Sequence, residues 1–268
     1  MIRDITIGQY YPAESVIHRL DPRVKLVGTL TFIISLFLHR SFLMYLVAAV
    51  FLTIVIKASK VPFRFMIKGL KAIMVLLLIT VVFNMFLTPG TPLIRIWKLT
   101  LTVEGVKQAA FMAIRLAFLI VGSSVMTLTT TPNHLTVGME KGLAPLFKLH
   151  VPVHEVSMIM SIALRFIPIL LEETDKIMKA QEARGADFDS GNLIQKAKSL
   201  VPLLVPLFIS AFRRANDLAM AMEARGYRGG EGRTKMKPLI YQKRDRMAYG
   251  VLLGYLAVMI LVGQFAPF

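Results

Sequence analysis

One short charged signature is written twice in this chain. Residues 181–188 read QEARGADF and residues 222–229 read MEARGYRG, so Glu-Ala-Arg-Gly recurs with its arginines 225 − 184 = 41 positions apart. In each copy a run of good helix formers ends in Arg-Gly, the pattern expected where glycine takes the left-handed position beyond a helix and closes it. The arginine then sits at the helix tip, where the macrodipole favours a cation by about 0.3–1 kcal/mol. A cap alone needs no particular residue before the glycine, because Lys or Asn would also serve. Repetition of the whole tetrapeptide points instead to an outside surface matched twice. A guanidinium carries five donors in a planar fork and keeps its charge when desolvated, which suits it to an acidic cleft on a partner. Two equivalent tips imply two equivalent or pseudo-equivalent clefts, as on a dimer.

Other residues capable of chemistry form no constellation. Cysteine is absent, which removes disulfides, thiolate metal sites and cysteine nucleophiles. The five histidines show no usable metal spacing: His150 and His154 stand four apart, but Pro152 interrupts the helix that would align them. No metal is expected. The acidic run Leu171-Glu172-Glu173-Thr174-Asp175 has no second cluster, and a solvated helix face is its expectation. A phosphate-binding GxxxxGK[ST] loop is missing, so nucleotide hydrolysis by this chain is not expected. Asp21-Pro22-Arg23 reads as a helix start, with Asp as N-cap and Pro at the first helical position, leaving Arg23 and Lys25 at a membrane surface. Arg115 lies inside an apolar stretch, where a buried cation costs at least about 2.5 kcal/mol and needs company from a partner subunit or from the bundle itself. Asn84 is expected to bond between helices.

The elements that must carry the two arginines are set by composition. Of 268 residues 55% are hydrophobic and 18% charged, a membrane composition. The opening residues are polar and irregular, so no removable signal is expected. The net charge of +16 does not mark a nucleic-acid binder, because 18 of the 32 Lys and Arg fall at 130–246, four before position 26, and five at 57–71. That is the positive-inside pattern of a multi-span protein. Apolar stretches at 24–38, 42–56, 72–87, 108–129 and 247–265 are five expected spans. The first two are short for the roughly 20 residues a crossing requires and read as a thin hairpin turned at His39-Arg40-Ser41. A Pro/Gly-punctuated outer loop containing Trp97 joins the next pair.

The expectation is therefore an all-α membrane protein in three parts: an N-terminal membrane region at 1–129, a cytoplasmic helical domain at 130–246, and a C-terminal span at 247–268. Within the middle part, residues 151–185 and 200–226 are apolar at their starts and amphipathic toward their ends. A shift of 41 aligns Ile177 with Leu218, Ala180 with Ala221 and Glu182 with Glu223, an internal repeat of two helices. Segments around Pro152, Pro168, Pro202 and Pro206 are expected to be short, broken helices lying along the membrane surface. Methionines 158, 160, 178, 220 and 222 lie on the repeat helices, where flexible thioethers suit a repacking surface.

The chain resembles the transmembrane T component of energy-coupling factor (ECF) transporters, prokaryotic uptake systems for vitamins and metal ions. Arg19–Leu26 (RLDPRVKL) and the paired Ala183-Arg184-Gly185 and Ala224-Arg225-Gly226 carry the resemblance, which extends over nearly the whole chain. It implies a non-catalytic coupling subunit in the cell membrane, with its N-terminus and coupling domain cytoplasmic. Each Ala-Arg-Gly motif would end a coupling helix docked on one of two ATP-binding-cassette ATPase subunits. ATP and magnesium would belong to those ATPases, with no cofactor bound by this chain. A separate substrate-binding membrane subunit would choose the cargo and contact the apolar halves of the repeat helices, through residues such as Met158, Leu164, Leu203, Leu207 and Met220.

Two other classes compete. A membrane-bound enzyme with a site in the cytoplasmic helices would need the acid, metal or nucleophile constellation that the sequence lacks. A self-sufficient permease would need convergent polar groups at mid-membrane, where Asn84 and Arg115 are the main offerings.

Overall fold

The computed structural model describes residues 10–38, 41–96, 99–142, 152–186, 188, 192–229 and 239–265. Among these the chain forms helices α1 (Pro22–Leu38), α2 (Phe42–Ser59) and α3 (Phe63–Leu87), then strands β1 (Pro92–Ile96) and β2 (Leu99–Thr102). There follow α4 (Val103–Thr129), α5 (Pro132–Gly142), α6 (Val153–Glu182), α7 (Leu193–Ser199), α8 (Val201–Ala224) and α9 (Lys243–Phe265). It is an all-α membrane fold with one short hairpin. The turn at His39-Arg40, the interfacial Trp97 and His150 lie outside the described residues.

Among the described residues three helices are long and apolar enough to cross a bilayer: α2, α4 and the 243–264 stretch of α9. The other two expected spans are shorter. With 17 residues, α1 reaches about 25 Å at 1.5 Å per residue, against a hydrocarbon core of about 30 Å. In α3 the apolar segment is Ile73–Leu87, because its first turns carry Arg64, Lys68 and Lys71. The hairpin was not expected from sequence. Its strands pair antiparallel with an irregularity between Pro92 and Ile94, and the ladder satisfies backbone groups that a Pro/Gly-rich loop would leave to water. Thr102 ends it and caps α4, its Oγ accepting from Gly105 N at 3.0 Å and donating to Thr88 O at 2.8 Å.

The chain divides into two compact units, one containing 8–139 and 239–268, the other 140–238. The second unit lies within the 130–246 expected for the coupling region. Most of α5 packs with the spans: a Cβ on Gly138 would come within 2.7 Å of the Pro22 side chain. In the membrane unit the core joins α1, α2, α4 and α9 through Phe32, Leu36, Met44, Tyr45, Leu52, Val121, Val125, Tyr255 and Met259. Phe51 stacks on Tyr255 at 4.2 Å, and the Tyr255 hydroxyl is shared with Ser35 Oγ at 2.7 Å, which satisfies the polar end of a buried ring.

In the other unit α6 and α8 are unbroken, contrary to the expected interrupted pieces. Pro152 is the N-cap of α6 and Pro202 lies in the first turn of α8, where the missing N–H is harmless. Pro168 and Pro206 lie inside continuous helices. An interior proline removes one hydrogen bond at about 3 kcal/mol, but long flanking turns with tertiary contacts hold the helix across it.

Candidate functional site: two arginine tips and the face behind them

Both copies of Glu-Ala-Arg-Gly fold into the same cap. At the end of α6, Gly185 N donates to Glu182 O at 2.9 Å and Ala186 N to Gln181 O at 3.0 Å. At the end of α8, Gly226 N donates to Glu223 O at 2.9 Å and Tyr227 N to Met222 O at 3.0 Å. These are two Schellman motifs in identical register, with glycine at the left-handed position: φ is +90° at Gly185 and +72° at Gly226. A Cβ on either glycine would meet nothing within 4 Å, so backbone handedness, not crowding, demands the residue. Arg184 and Arg225 therefore occupy the same capping position, and both are exposed.

The repeat also governs how the two helices pack. Arg214 on α8 pairs with Glu173 on α6 at 3.0 Å, and these are equivalent positions, since 214 − 173 = 41. Gln181 Nε2 donates to Pro202 O at 3.2 Å, so the end of α6 meets the start of α8 and the helices run antiparallel. Each arginine lies eleven residues beyond the ion pair (184 − 173 and 225 − 214). At 1.5 Å per residue that is about 16 Å along each arm, which holds the tips apart by up to about 30 Å at opposite ends of the pair.

The same faces are used in both copies. Ile159, Met160 and Ile167 on α6 are exposed, as are Leu200 and Val201 at the start of α8 and Phe208 within it, their equivalents at +41. On α8 the stripe continues through Leu204, Val205, Ile209 and Phe212, the last 69% exposed, with helical spacing over three turns. Of the residues expected to meet a substrate subunit, Met220 is exposed, Met158, Leu164 and Leu207 are half-buried, and Leu203 is buried. Phe208, Ile209 and Phe212 lie within 203–212, the apolar half of the second repeat helix expected from the sequence, and continue the i, i+1, i+4 spacing of Val201, Leu204 and Val205.

The Asp21-Pro22-Arg23 signature does more than start α1. Asp21 Oδ1 caps Arg23 N at 2.9 Å as expected, and the Arg23 guanidinium returns to the same carboxylate with Nε and Nη2 at 3.0 and 2.9 Å. Asp21 N in turn donates to Asp245 Oδ1 at 2.9 Å, while Gln242 N donates to Asp245 Oδ2 at 2.8 Å. One carboxylate, 2% exposed, thus joins the starts of α1 and α9, where both helix dipoles favour it. Arg23 lies over the Tyr241 ring at 3.8 Å. Lys25 Nζ reaches His18 O and Thr129 O, tying in the end of α4. Upstream, His18 Nε2 donates to Tyr11 O at 3.0 Å, so Nδ1 of the neutral ring accepts from Ser15 Oγ at 2.7 Å. Burial lowers the His18 pKa, opposed by the Tyr11 bond and aided by Lys25.

Arg115 is 7% exposed and finds its company within the bundle: Nε donates to the Tyr45 hydroxyl at 3.0 Å, and the guanidinium lies 5.1 Å from the Phe37 ring centre. Asn84 does not bond between helices in the way expected. Its Nδ2 donates to Thr80 O at 2.8 Å, one turn back in α3, because an i−4 carbonyl is the nearest acceptor a helical amide can reach. Among the described residues no three His, Asp or Glu side chains gather as metal ligands.

The profile of the family described as CbiQ, cobalt transport protein, matches residues 13–236. The chain is 59% identical over 264 residues to the energy-coupling factor transporter transmembrane protein EcfT of Clostridium kluyveri, covering 97% of each chain. The chain belongs to this family of transporter transmembrane proteins. It is also 53% identical to the EcfT protein of Thermosediminibacter oceani, covering 98% of this chain and 99% of that one, and 48% identical over 246 residues to that of Bacillus subtilis, covering 91% and 93%. Membership makes the chain a membrane component of a transporter and not itself an enzyme.

Proposed function

We propose that this chain is the coupling subunit of an ECF-type importer, transmitting ATP hydrolysis by two ABC ATPase subunits to a separate substrate-binding membrane protein for a vitamin or metal ion. The observation that carries the reading is the pair of matching caps, each presenting an exposed arginine at one end of an antiparallel helix pair. Two ATPase subunits would offer one acidic cleft each, and their closure would pull or rotate both tips together. Arg184 addresses one ATPase subunit and Arg225 the other, within Ala183-Arg184-Gly185 and Ala224-Arg225-Gly226. The exposed apolar stripe behind the tips meets the substrate subunit, so one rigid pair of helices touches both partners.

The orientation follows from charge. The basic ends, where α1 and α9 start and α2 and α4 finish, face the cytoplasm, as do the tips. A single cysteine at Ser41 then labels from outside and one at Gly230 from inside; the reverse pattern would refute this topology.

The deciding experiment is co-purification of ATPases with the full chain in detergent. Arg184→Ala and Arg225→Ala should each weaken association and the double variant should abolish it, while Arg→Lys should rescue poorly because a point charge cannot reproduce the fork. Wild-type amounts of ATPase on the double alanine variant would sink the docking role.

A further inference from the structure

The membrane unit contains an apolar cleft of about 390 Å³ that the coupling mechanism does not use. Its walls come from the first turns of α1 (Val24, Gly28), the last turns of α2 and α4 (Val55, Val125), and the first turns of α9 (Val251, Leu252). All four belong to the end of the bundle at which α1 and α9 begin and α2 and α4 finish. The volume lies within the range of small-molecule sites, but the lining offers almost nothing that would orient a polar solute. Its two charged lining residues, Lys25 and Arg244, are both basic.

The counter-charge near Lys25 is Asp21, a carboxylate it shares with the Arg23 fork. Lys25 Nζ donates to two carbonyls, His18 O at 3.2 Å and Thr129 O at 2.8 Å, which satisfy donors without supplying a counter-charge. The other nearby carboxylate, Asp245, takes two backbone N–H groups. Arg244 Nε is buried with no hydrogen-bond partner among the described residues, leaving a donor open to a water, an ion or an anionic group. A greasy cleft within a transmembrane bundle, with two basic residues and no carboxylate among its lining, complements a molecule with an apolar tail and an anionic head.

We propose that this cleft holds one phospholipid with an anionic headgroup, an acyl chain lying along α1, α2, α4 and α9 and the phosphate at Lys25 and Arg244. Basic pockets between helices at the cytoplasmic surface are where such headgroups are expected; the leaflet rests on the orientation given under Proposed function, while the binding itself does not. Held there, the lipid would brace the joint at which α9 meets α1.

The test is native mass spectrometry of the full chain in detergent, after exchange with phosphatidylglycerol or phosphatidylcholine of the same acyl chains. Wild type should retain one phosphatidylglycerol at least tenfold more than phosphatidylcholine. Arg244→Gln should bring the anionic lipid down toward the neutral one, and Arg244→Lys should restore part of the preference. Ala248→Leu, which fills the lining and leaves both charges, should reduce retention of both lipids. Thermal midpoints measured on the same samples separate lost binding from lost folding, and a variant that fails to fold is replaced by its partner at the other position. Equal retention of the two lipids by wild type, or retention unchanged by both kinds of variant, would overturn the proposal. So would displacement by millimolar glycerol phosphate, which would reveal a plain anion site, or loss of the lipid on assembly with the other subunits, which would reveal a protein occupant. None of these measurements reads ATPase association, so the lipid site and the coupling role can fail separately.

Discussion

Asp245→Asn is the sharpest test of how the membrane unit is held together. In wild type this buried carboxylate accepts from Asp21 N at 2.9 Å and from Gln242 N at 2.8 Å, one N–H from the start of each of two helices. An asparagine of the same shape has one oxygen that can accept and one NH₂ that can only donate. Whichever way the amide turns, one N–H loses its acceptor and faces a donor, and the carboxylate's charge at two helix N-termini is lost. An unsatisfied buried donor costs about 1–3 kcal/mol, and the lost dipole interaction adds about 0.3–1 kcal/mol for each helix. The sum is about 2–5 kcal/mol. For a unit of this size each kcal/mol moves the midpoint by about 2–4 °C, so a fall of at least 4 °C is expected for the full chain in detergent, followed by intrinsic fluorescence or differential scanning calorimetry. Asp245→Ala should fall further, with both N–H groups unpaired. Asp245→Glu should not rescue fully, since the longer arm cannot keep both distances. A shift under 1 °C for Asp245→Asn would refute the argument that this carboxylate joins α1 to α9.

Four further outcomes follow from the same geometry. Arg184→Ala and Arg225→Ala remove exposed side chains, so the thermal midpoint of the isolated chain should hold within about 0.5 kcal/mol, while ATPase binding weakens by about 2–5 kcal/mol if each arginine is buried against a carboxylate; parallel losses in both readouts would argue that the arginines are caps only. Phe212→Asn, on the exposed stripe, should lower substrate uptake with stability and ATPase co-purification retained, whereas Leu203→Asn buries an amide and should destabilise the unit by roughly 1–3 kcal/mol. Reversal of that ranking in detergent melts would show that the stripe belongs to the chain's own core. Tyr45→Phe deletes the acceptor of Arg115 Nε and should cost about 1–3 kcal/mol in thermal stability, and an unchanged midpoint would show that the guanidinium is satisfied elsewhere. Finally, Glu173→Gln should cost at most about 1 kcal/mol, because the pair is partly exposed with side chains at 37% and 26% and water screens it.

The sequence alone determined what depends on local chemistry and on periodicity. Glu-Ala-Arg-Gly closes a helix because only glycine takes φ near +80° without strain, so the two caps and their register at Gly185 and Gly226 were legible before any coordinates. Asp21 and Pro22 start α1 for the same kind of local reason. The positions of the apolar helices were equally open to reading, because burial in a bilayer needs a long apolar run whatever the neighbours are. Tertiary structure decided what depends on residues far apart in the chain. Nothing in the sequence links Asp21 to Asp245 across 224 positions, or tells Tyr45 apart from any other tyrosine that might receive Arg115. The continuity of α6 and α8 through Pro168 and Pro206 was also misjudged locally, since a single lost hydrogen bond outweighs nothing once the flanking turns are packed. Leu203 and Phe212 read alike as apolar helix residues, and which one faces inward was set by the direction from which α6 approaches α8. That direction is fixed by contacts such as Glu173 with Arg214, equivalent positions by the shift of 41 whose pairing becomes visible only when the two helices lie side by side.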